Sequence, residues 1–148
     1  MKKLSLILAL AGAAGAVVRF DRAKDEKEWK FSPVSLAAEF KGYDLDKAGN
    51  PTFRSAGEGV ALSDAWAPVA GAKPSLSRTL KANGEKPLVV MLARDLAVTG
   101  PADGAYELAG GLLVRSVSGP ALQADAAAKT ITLTLKPGET AVLGYSFR

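Results

Sequence analysis

Residues 129–147 read KTITLTLKPGETAVLGYSF, and this stretch determines the fold class. Threonine alternates with isoleucine or leucine over residues 130–135, a period of two that puts polar and apolar side chains on opposite faces of a β-strand. Pro137 and Gly138 supply a turn, and a second alternating segment follows over residues 140–147. The stretch therefore predicts two β-strands that each bury one face. The residues on the buried face of the second strand are Ala141, Leu143, Tyr145 and Phe147.

Outward from these strands, the chain after Pro33 alternates short apolar segments with turns that contain glycine or proline. The run PLVVMLARD, residues 87–95, is apolar at consecutive positions, which indicates a central strand buried on both sides. Asn83–Gly84 before it is typical of a hairpin turn, and DAAAK at residues 125–129 is a short helix-like piece. Eight or nine short strands at this spacing predict an all-β antiparallel β-sandwich over residues 31–148.

The N-terminal segment has a different composition. Two lysines precede fifteen uncharged residues, 4–18, with small residues spaced as Ala-x-Ala near their end. This pattern predicts a signal-peptide helix over residues 1–16, cleaved after Ala16, then a charged lead-in over residues 17–30. The protein is accordingly expected in the periplasm of a bacterium or secreted. An uncleaved membrane anchor stays open as the alternative, although fifteen residues fall short of the roughly 20 that span a membrane.

The chain contains no cysteine and no histidine. These two absences exclude disulfides, Ser-His-Asp and Cys-His nucleophiles, histidine-ligated zinc and covalent haem on a Cys-x-x-Cys-His site. Removal of residues 1–16 leaves 17 basic and 15 acidic residues, a net charge of +2 without a run of like charge. Nucleic-acid binding is therefore not expected. The sequence indicates no metal and no cofactor.

The stretch FKGYDLDKAGNPTF, residues 40–53, suggests either a calcium loop or a turn between strands. Two aspartates and a glycine match a calcium loop, but Ala48 and Ser55 stand where that loop places further oxygen ligands. A turn explains the stretch better, and Phe40 and Phe53 are then expected to pack across the hairpin. Alternation puts Phe40 on one face and Tyr43 on the other. The residues assigned to the structural turn are Asp44, Asp46, Gly49, Asn50 and Pro51.

The same stretch carries a family resemblance, together with LSRTL at residues 76–80, YELAGGLLV at 106–114 and the closing GYSF. Residues 36–148 resemble the C-terminal β-rich module of large exported proteins from Planctomycetes and Verrucomicrobia, the multidomain c-type cytochrome and sugar-dehydrogenase-like proteins. In those proteins a Gly-Tyr-x-Leu-Asp-x-x-Gly-x-Pro-Thr-Phe stretch recurs. The resemblance implies an exported accessory β-domain without catalytic residues, and the absence of cysteine and histidine rules out a transfer of the haem site.

Three functions remain in order of preference. The first is a non-catalytic module that binds a protein partner, with a redox or sugar-oxidising partner suggested by the resemblance. The second is a carbohydrate-binding module, in which Trp66 and Tyr43 stack on sugar rings beside Asp64. Trp66 is expected in a loop, where an aromatic ring has fewer reasons to be buried. A glycosidase comes third, because no pair of carboxylates stands out among the acids nearest aromatic residues, Glu39, Asp44, Asp46 and Asp64.

Overall fold

The computed structural model describes residues 6–11, 16–21, 30–33, 39–73 and 75–148. These residues form fourteen β-strands and contain no helix. The strands are β1 (Leu6–Ala11), β2 (Ala16–Asp21), β3 (Lys30–Pro33), β4 (Glu39–Leu45), β5 (Pro51–Gly57), β6 (Val60–Val69), β7 (Ser75–Gly84), β8 (Leu88–Arg94), β9 (Val98–Ala102), β10 (Ala105–Leu108), β11 (Leu112–Ser118), β12 (Gln123–Asp125), β13 (Thr130–Leu135) and β14 (Thr140–Phe147).

The strands form two sheets in which every neighbouring pair is antiparallel. The larger sheet has eight strands in the order β4-β5-β6-β7-β14-β11-β10-β9, and the smaller has six in the order β12-β13-β8-β1-β2-β3. One hydrophobic core joins side chains from both sheets. This confirms the predicted all-β antiparallel sandwich, since each sheet buries one face against the other.

The core follows the alternation that the sequence predicts for β13 and β14. Ile131, Leu133 and Leu135 are fully buried, and the threonines between them are half-buried. On β14 the side chains at 141, 143 and 145 are buried in the same way. Phe147, expected on that buried face, is instead 59% exposed because it lies at the last position of the strand, where the core ends. β8 lies between β13 and β1, as expected for a central strand.

Several local predictions are wrong. The structure has eleven strands from Glu39 onward in place of eight or nine, because β9 (VTGPA) and β12 (QAD) lack the apolar alternation that marks a strand. Asn83–Gly84 does not make a hairpin, since β7 and β8 belong to different sheets and the chain crosses between the two layers there. Residues 126–129 form a hairpin turn between β12 and β13, in which the Ala128 N–H donates to the Asp125 Oδ1 at 2.9 Å.

The N-terminal segment also departs from expectation. Leu6–Ala11, predicted as part of a signal-peptide helix, is strand β1 and pairs with β2 on one side and β8 on the other. The alternation of leucine with isoleucine or alanine in this hexapeptide suits a strand as well as a signal helix. The residues just before the predicted cleavage site (12–15) and most of the charged lead-in (22–29) lie outside the described residues. In the portion of the chain that is described, no helix is long and apolar enough to cross a membrane.

Candidate functional site

A buried ion pair lies on the core face of the eight-stranded sheet. Asp64 on β6 and Arg78 on β7 each expose 2% of their side chains. The Arg78 guanidinium donates one hydrogen bond from Nε to Asp64 Oδ1 (2.9 Å) and a second from Nη2 to Asp64 Oδ2 (2.7 Å). A bidentate contact between guanidinium and carboxylate is the geometry that best offsets the cost of burying both charges. The pair therefore ties β6 to β7 inside the core.

Two aromatic side chains enclose this ion pair. Arg78 donates a third hydrogen bond from Nη1 to the Tyr145 hydroxyl (3.2 Å), and its Cζ lies 4.7 Å from the centroid of the Trp66 ring. The rings of Trp66 and Tyr145 are 5.3 Å apart. Burial by itself lowers the pKa of Arg78, but Tyr145 and Asp64 hold it above its usual value, so the guanidinium stays charged. Burial also raises the pKa of Tyr145 above its ordinary value, against the smaller opposing effect of Arg78.

The structure does not bring the predicted ligand residues into one open groove. Trp66 lies within β6 and not in a loop, and its ring is partly buried against Arg78. Asp64 is 1% exposed, and both of its carboxylate oxygens already accept bonds. Tyr43 is opposite Phe53 in the sheet, and Phe53 is opposite Asp64, so the Phe53 ring separates the other two. Asp64 is thus buried with both oxygens engaged, and the partly buried Trp66 ring packs against the core.

The turn at residues 46–50 joins β4 to β5. Asp46 organises it, because its Oδ1 accepts the N–H groups of Ala48 (2.8 Å) and Asn50 (2.9 Å), and its Oδ2 accepts the side-chain amide of Asn50 (2.9 Å). The backbone N–H and side chain of Asn50 are the main reason that the pKa of Asp46 lies below its ordinary value of 3.8. Gly49 adopts the positive φ of +83° that the turn requires. Both carboxylate oxygens of Asp46 are therefore engaged in hydrogen bonds within the turn.

Asp44 and Pro51 flank the turn. Asp44 belongs to β4 and pairs with Arg54 on β5, with 3.0 Å between Asp44 Oδ2 and Arg54 Nη1. Both side chains are more than half exposed, so this pair contributes little stability. Pro51 is the first residue of β5, opposite Leu45. In the described ranges, which begin at residue 6 and have four internal gaps, no group of three or more acidic, histidine or cysteine side chains is placed to hold a metal ion.

The hairpin exposes large apolar side chains on the face that continues into the core. Phe40, Tyr43 and Leu45 are 52%, 58% and 59% exposed. A bulge between Phe40 and Gly42 shifts the alternation by one residue, so that Phe40 and Tyr43 both pack against Phe53, at 6.5 and 6.1 Å between ring centroids. The prediction that Phe40 and Tyr43 lie on opposite faces is therefore wrong. We call the exposed side chains of Phe40, Tyr43 and Leu45 the hairpin patch.

The hairpin patch extends the inner face of the large sheet to its free edge. Phe40 is opposite Ser55, which is 8% exposed, and Ser55 is opposite Leu62, which is 4% exposed. Directly opposite residues share one face of an antiparallel pair. Burial therefore increases from β4 inward along the same face, and β4 is the outermost strand. The patch is apolar surface of the kind that forms the core, left uncovered at the edge of the sandwich.

A second depression lies beside β9, β10 and β11, with a volume of about 390 Å³. Its charged lining comprises Asp103, Glu107, Arg115 and Arg148. Arg148 Nη2 and Glu107 Oε2 form an ion pair at 3.0 Å, which neutralises one charge of each sign. The Arg148 side chain is 70% exposed, so the depression is open to solvent at its rim. Its charged lining is of mixed sign, so it does not select for ligand charge.

Comparison of the chain with protein-family models, with curated protein sequences and with solved structures gave no match.

Arg78 was not singled out from the sequence, and Tyr145 was predicted only as a residue on the buried face of its strand, although both are central to the buried network. A signal was present for Arg78. In LSRTL it stands two residues before Leu80, so a strand places its charge on the same face as a core leucine. On β6, Asp64 comes two residues after Leu62, so it also lies on the same face as a core leucine. Two opposite charges, each on the apolar face of a strand, are expected to pair.

Proposed function

We propose that this protein is an exported, non-catalytic interaction module that binds a protein partner through the hairpin patch. The observation that supports this is the exposure of Phe40, Tyr43 and Leu45, each more than half accessible, on one face of an edge hairpin. Contiguous apolar surface of this kind is typical of protein-interaction sites. The proposal assigns no catalytic residue and no cofactor.

The size of the patch fits the centre of an interface. Three large side chains of roughly 200 Å² each, a little over half exposed, present roughly 300 Å² of apolar surface. A standard interface buries about 800 Å² on each partner and surrounds an apolar centre with a polar rim. The exposed charged residues of the hairpin, Glu39 and Arg54, alternate with the patch residues along the strands and lie on the other face. The partner therefore contacts mainly the rings of Phe40 and Tyr43.

The edge of β4 favours docking by side chains over addition of a strand. The Asp46 N–H donates to the Asn50 carbonyl (3.0 Å), so Asp46 is a hydrogen-bonded position of the β4–β5 pair. Hydrogen-bonded and non-hydrogen-bonded positions alternate along a strand, so the backbone N–H and C=O groups of Tyr43 and Leu45 point away from β5. The bulge at Lys41–Gly42 interrupts this row after two residues. Bulges and charged residues are the usual means of preventing strand addition at a sheet edge. Specificity then resides in the aromatic side chains.

The test is retention of a partner from the cells that make the protein, with the wild type and two variants. Tyr43→Ser/Leu45→Ser removes most of the patch, and Val117→Ser is the matched control because Val117 is a 63% exposed apolar residue on β11, at the other side of the sheet. We expect one protein to be retained by the wild type and the control and lost with the double variant. Equal retention by all three proteins would remove the patch as the binding surface.

Carbohydrate binding stays as a second candidate because Tyr43 and Phe40 expose their rings on one face of the hairpin, each packed against Phe53. Exposed aromatic rings of this kind stack on the apolar faces of sugars. A glycan array compares the wild type with Tyr43→Ser. Binding that disappears in the variant would favour a glycan over a protein partner. Trp66→Ala is not a suitable probe, since Trp66 packs on the buried Arg78 and its loss would disturb the core.

The proposed partner and location follow from the resemblance described above. In the large exported proteins that the chain resembles, the β-rich module lies in one polypeptide with redox or sugar-oxidising domains. We therefore place the protein in the periplasm or outside the cell, with such a protein as its partner. N-terminal sequencing of envelope-fraction material should find Val17 first. An intact Met1 would favour the membrane anchor.

A further inference from the structure

Strand β8 is an interior strand that relies on the N-terminal segment for one of its two neighbours. On one side, Val90 is opposite Leu133 of β13, and on the other it is opposite Leu10 of β1. β8 is apolar along most of its length, with Leu88 and Val90 in the core and Val89 and Met91 half-buried on the opposite face. Residues 88–93 contain neither the charges nor the proline that protect exposed edges, and Arg94 is the one charge on this strand. β8 therefore requires a strand on both sides.

The residues that complete the sheet beside β8 are those of the predicted signal peptide. β1 is Leu6–Ala11, and the predicted cleavage follows Ala16. Residues 9–11 of β1, which pair with residues 89–91 of β8, are absent from the mature chain if residues 1–16 are removed. Cleavage would leave the outward backbone N–H and C=O groups of β8 without a protein partner, and an apolar edge of this kind is a template for the addition of another strand.

We propose that the edge of β8 is a strand-acceptor site. Residues 6–11 occupy it in the unprocessed chain, and an extended apolar strand of a partner protein occupies it after cleavage. The chemistry of the incoming strand follows from the present occupant, LILALA, in which leucine stands at every second position and no charge interrupts the run. Backbone hydrogen bonds supply affinity in this mode of recognition, and the alternate side chains supply specificity. The site is separate from the hairpin patch, but it rests on the proposed export and on cleavage after Ala16.

Hydrogen exchange on the chain that begins at Val17 tests the proposal. The probe is a synthetic peptide of residues 1–12, MKKLSLILALAG, which the two lysines keep soluble. We expect the outward amides among Val89–Met91 to be protected in the full chain, to exchange at least tenfold faster after removal of residues 1–16, and to regain protection when the peptide is added. A peptide with Leu10→Pro should fail, because proline cannot donate to the ladder, whereas Ser5→Pro, outside the strand, should still bind.

Three results would overturn the proposal. One is protection of Val89–Met91 in the processed chain without peptide, and another is protection that rises with protein concentration, which would assign the edge to a second copy. The third result is measured on the full chain and applies also if the processed chain does not fold. Directly opposite residues of β1 and β8 are close enough for a disulfide, so Ala9→Cys/Met91→Cys and Leu10→Cys/Val90→Cys should each form one. The sequence has no native cysteine that could compete. No disulfide in either pair, or equal yield in a Leu10→Cys/Val114→Cys control, would contradict the pairing of β1 with β8.

Discussion

Removal of one partner of the Asp64–Arg78 ion pair should destabilise the protein far more than removal of both. Asp64→Leu keeps a side chain of similar size but leaves the Arg78 guanidinium 2% exposed and without its two bonds to the carboxylate. Hydrogen bonds to charged groups contribute about 1.5–3 kcal/mol each, and breaking a buried ion pair costs about 3–5 kcal/mol. We therefore expect a loss of about 3–5 kcal/mol, which lowers the Tm by roughly 10–20 °C for a domain of this size.

The double variant separates a buried charge from lost packing. Arg78→Met alone should also cost about 3–5 kcal/mol, because it leaves Asp64 as an unpaired buried carboxylate. Asp64→Leu/Arg78→Met leaves neither charge, so it should lie within about 2 kcal/mol of the wild type and give a coupling energy of at least about 3 kcal/mol. Urea denaturation of all four proteins measures this cycle. A cost below about 1 kcal/mol for Asp64→Leu, or a double variant that shows the sum of the single costs, would refute the assignment of the pair as a buried core element.

Three further predictions concern pH and backbone conformation. The hydrogen bonds of the turn lower the pKa of Asp46 in the folded state, so the stability that they supply is present above pH about 4 and is lost as the pH falls below it. Asp46→Asn should therefore reduce the loss of stability at acid pH. An unchanged acid loss in this variant would contradict the turn geometry. Burial raises the pKa of Tyr145, so its contribution to the free energy of unfolding is complete below pH about 10 and is lost as the pH rises beyond it. Tyr145→Phe should therefore reduce the loss of stability at alkaline pH, measured by urea denaturation. Gly84 has a φ of +133°, and a Cβ there would clash with the Gly59 carbonyl oxygen. A Cβ at Gly138, with a φ of +79°, meets nothing within 4 Å, so Gly84→Ala should destabilise the protein more than the roughly 1 kcal/mol expected for Gly138→Ala. Equal decreases in Tm for the two variants would contradict the close approach at Gly84.

The sheet architecture was predictable because it depends on side-chain periodicity, which the sequence displays directly. The alternation at residues 130–135 predicts one buried face, and the leucines and isoleucine of β13 are indeed fully buried. Which strands pair depends on contacts between distant residues, and Asn83–Gly84 shows the difficulty: its local chemistry suits a hairpin, yet the chain leaves the sheet there. Short strands such as β12 have no periodicity to find.

The candidate site was harder to predict, because a single-residue shift decides which side chains meet. The bulge at Gly42 brings Phe40 and Tyr43 to the same face. A glycine inside a strand can mark a bulge, but the alternation of polar and apolar residues does not show it. Trp66 was selected as exposed because aspartate and proline flank it, but the charges of Asp64 and Arg78 are neutralised within the core. Exposed aromatic residues at an edge depend on how far the opposite sheet extends, which is a property of the whole fold.

The central claim, that the hairpin patch binds a protein partner, is tested most directly by site-specific photo-crosslinking in the cells that produce the protein. A photoreactive phenylalanine analogue replaces Tyr43, which is 58% exposed, and in a control protein it replaces Leu76, a 43% exposed residue on β7 outside the hairpin. The claim predicts one discrete crosslinked protein from position 43, none from position 76, and loss of the crosslink when Leu45→Ser is added. No crosslink at position 43, or the same product from both positions, would contradict it.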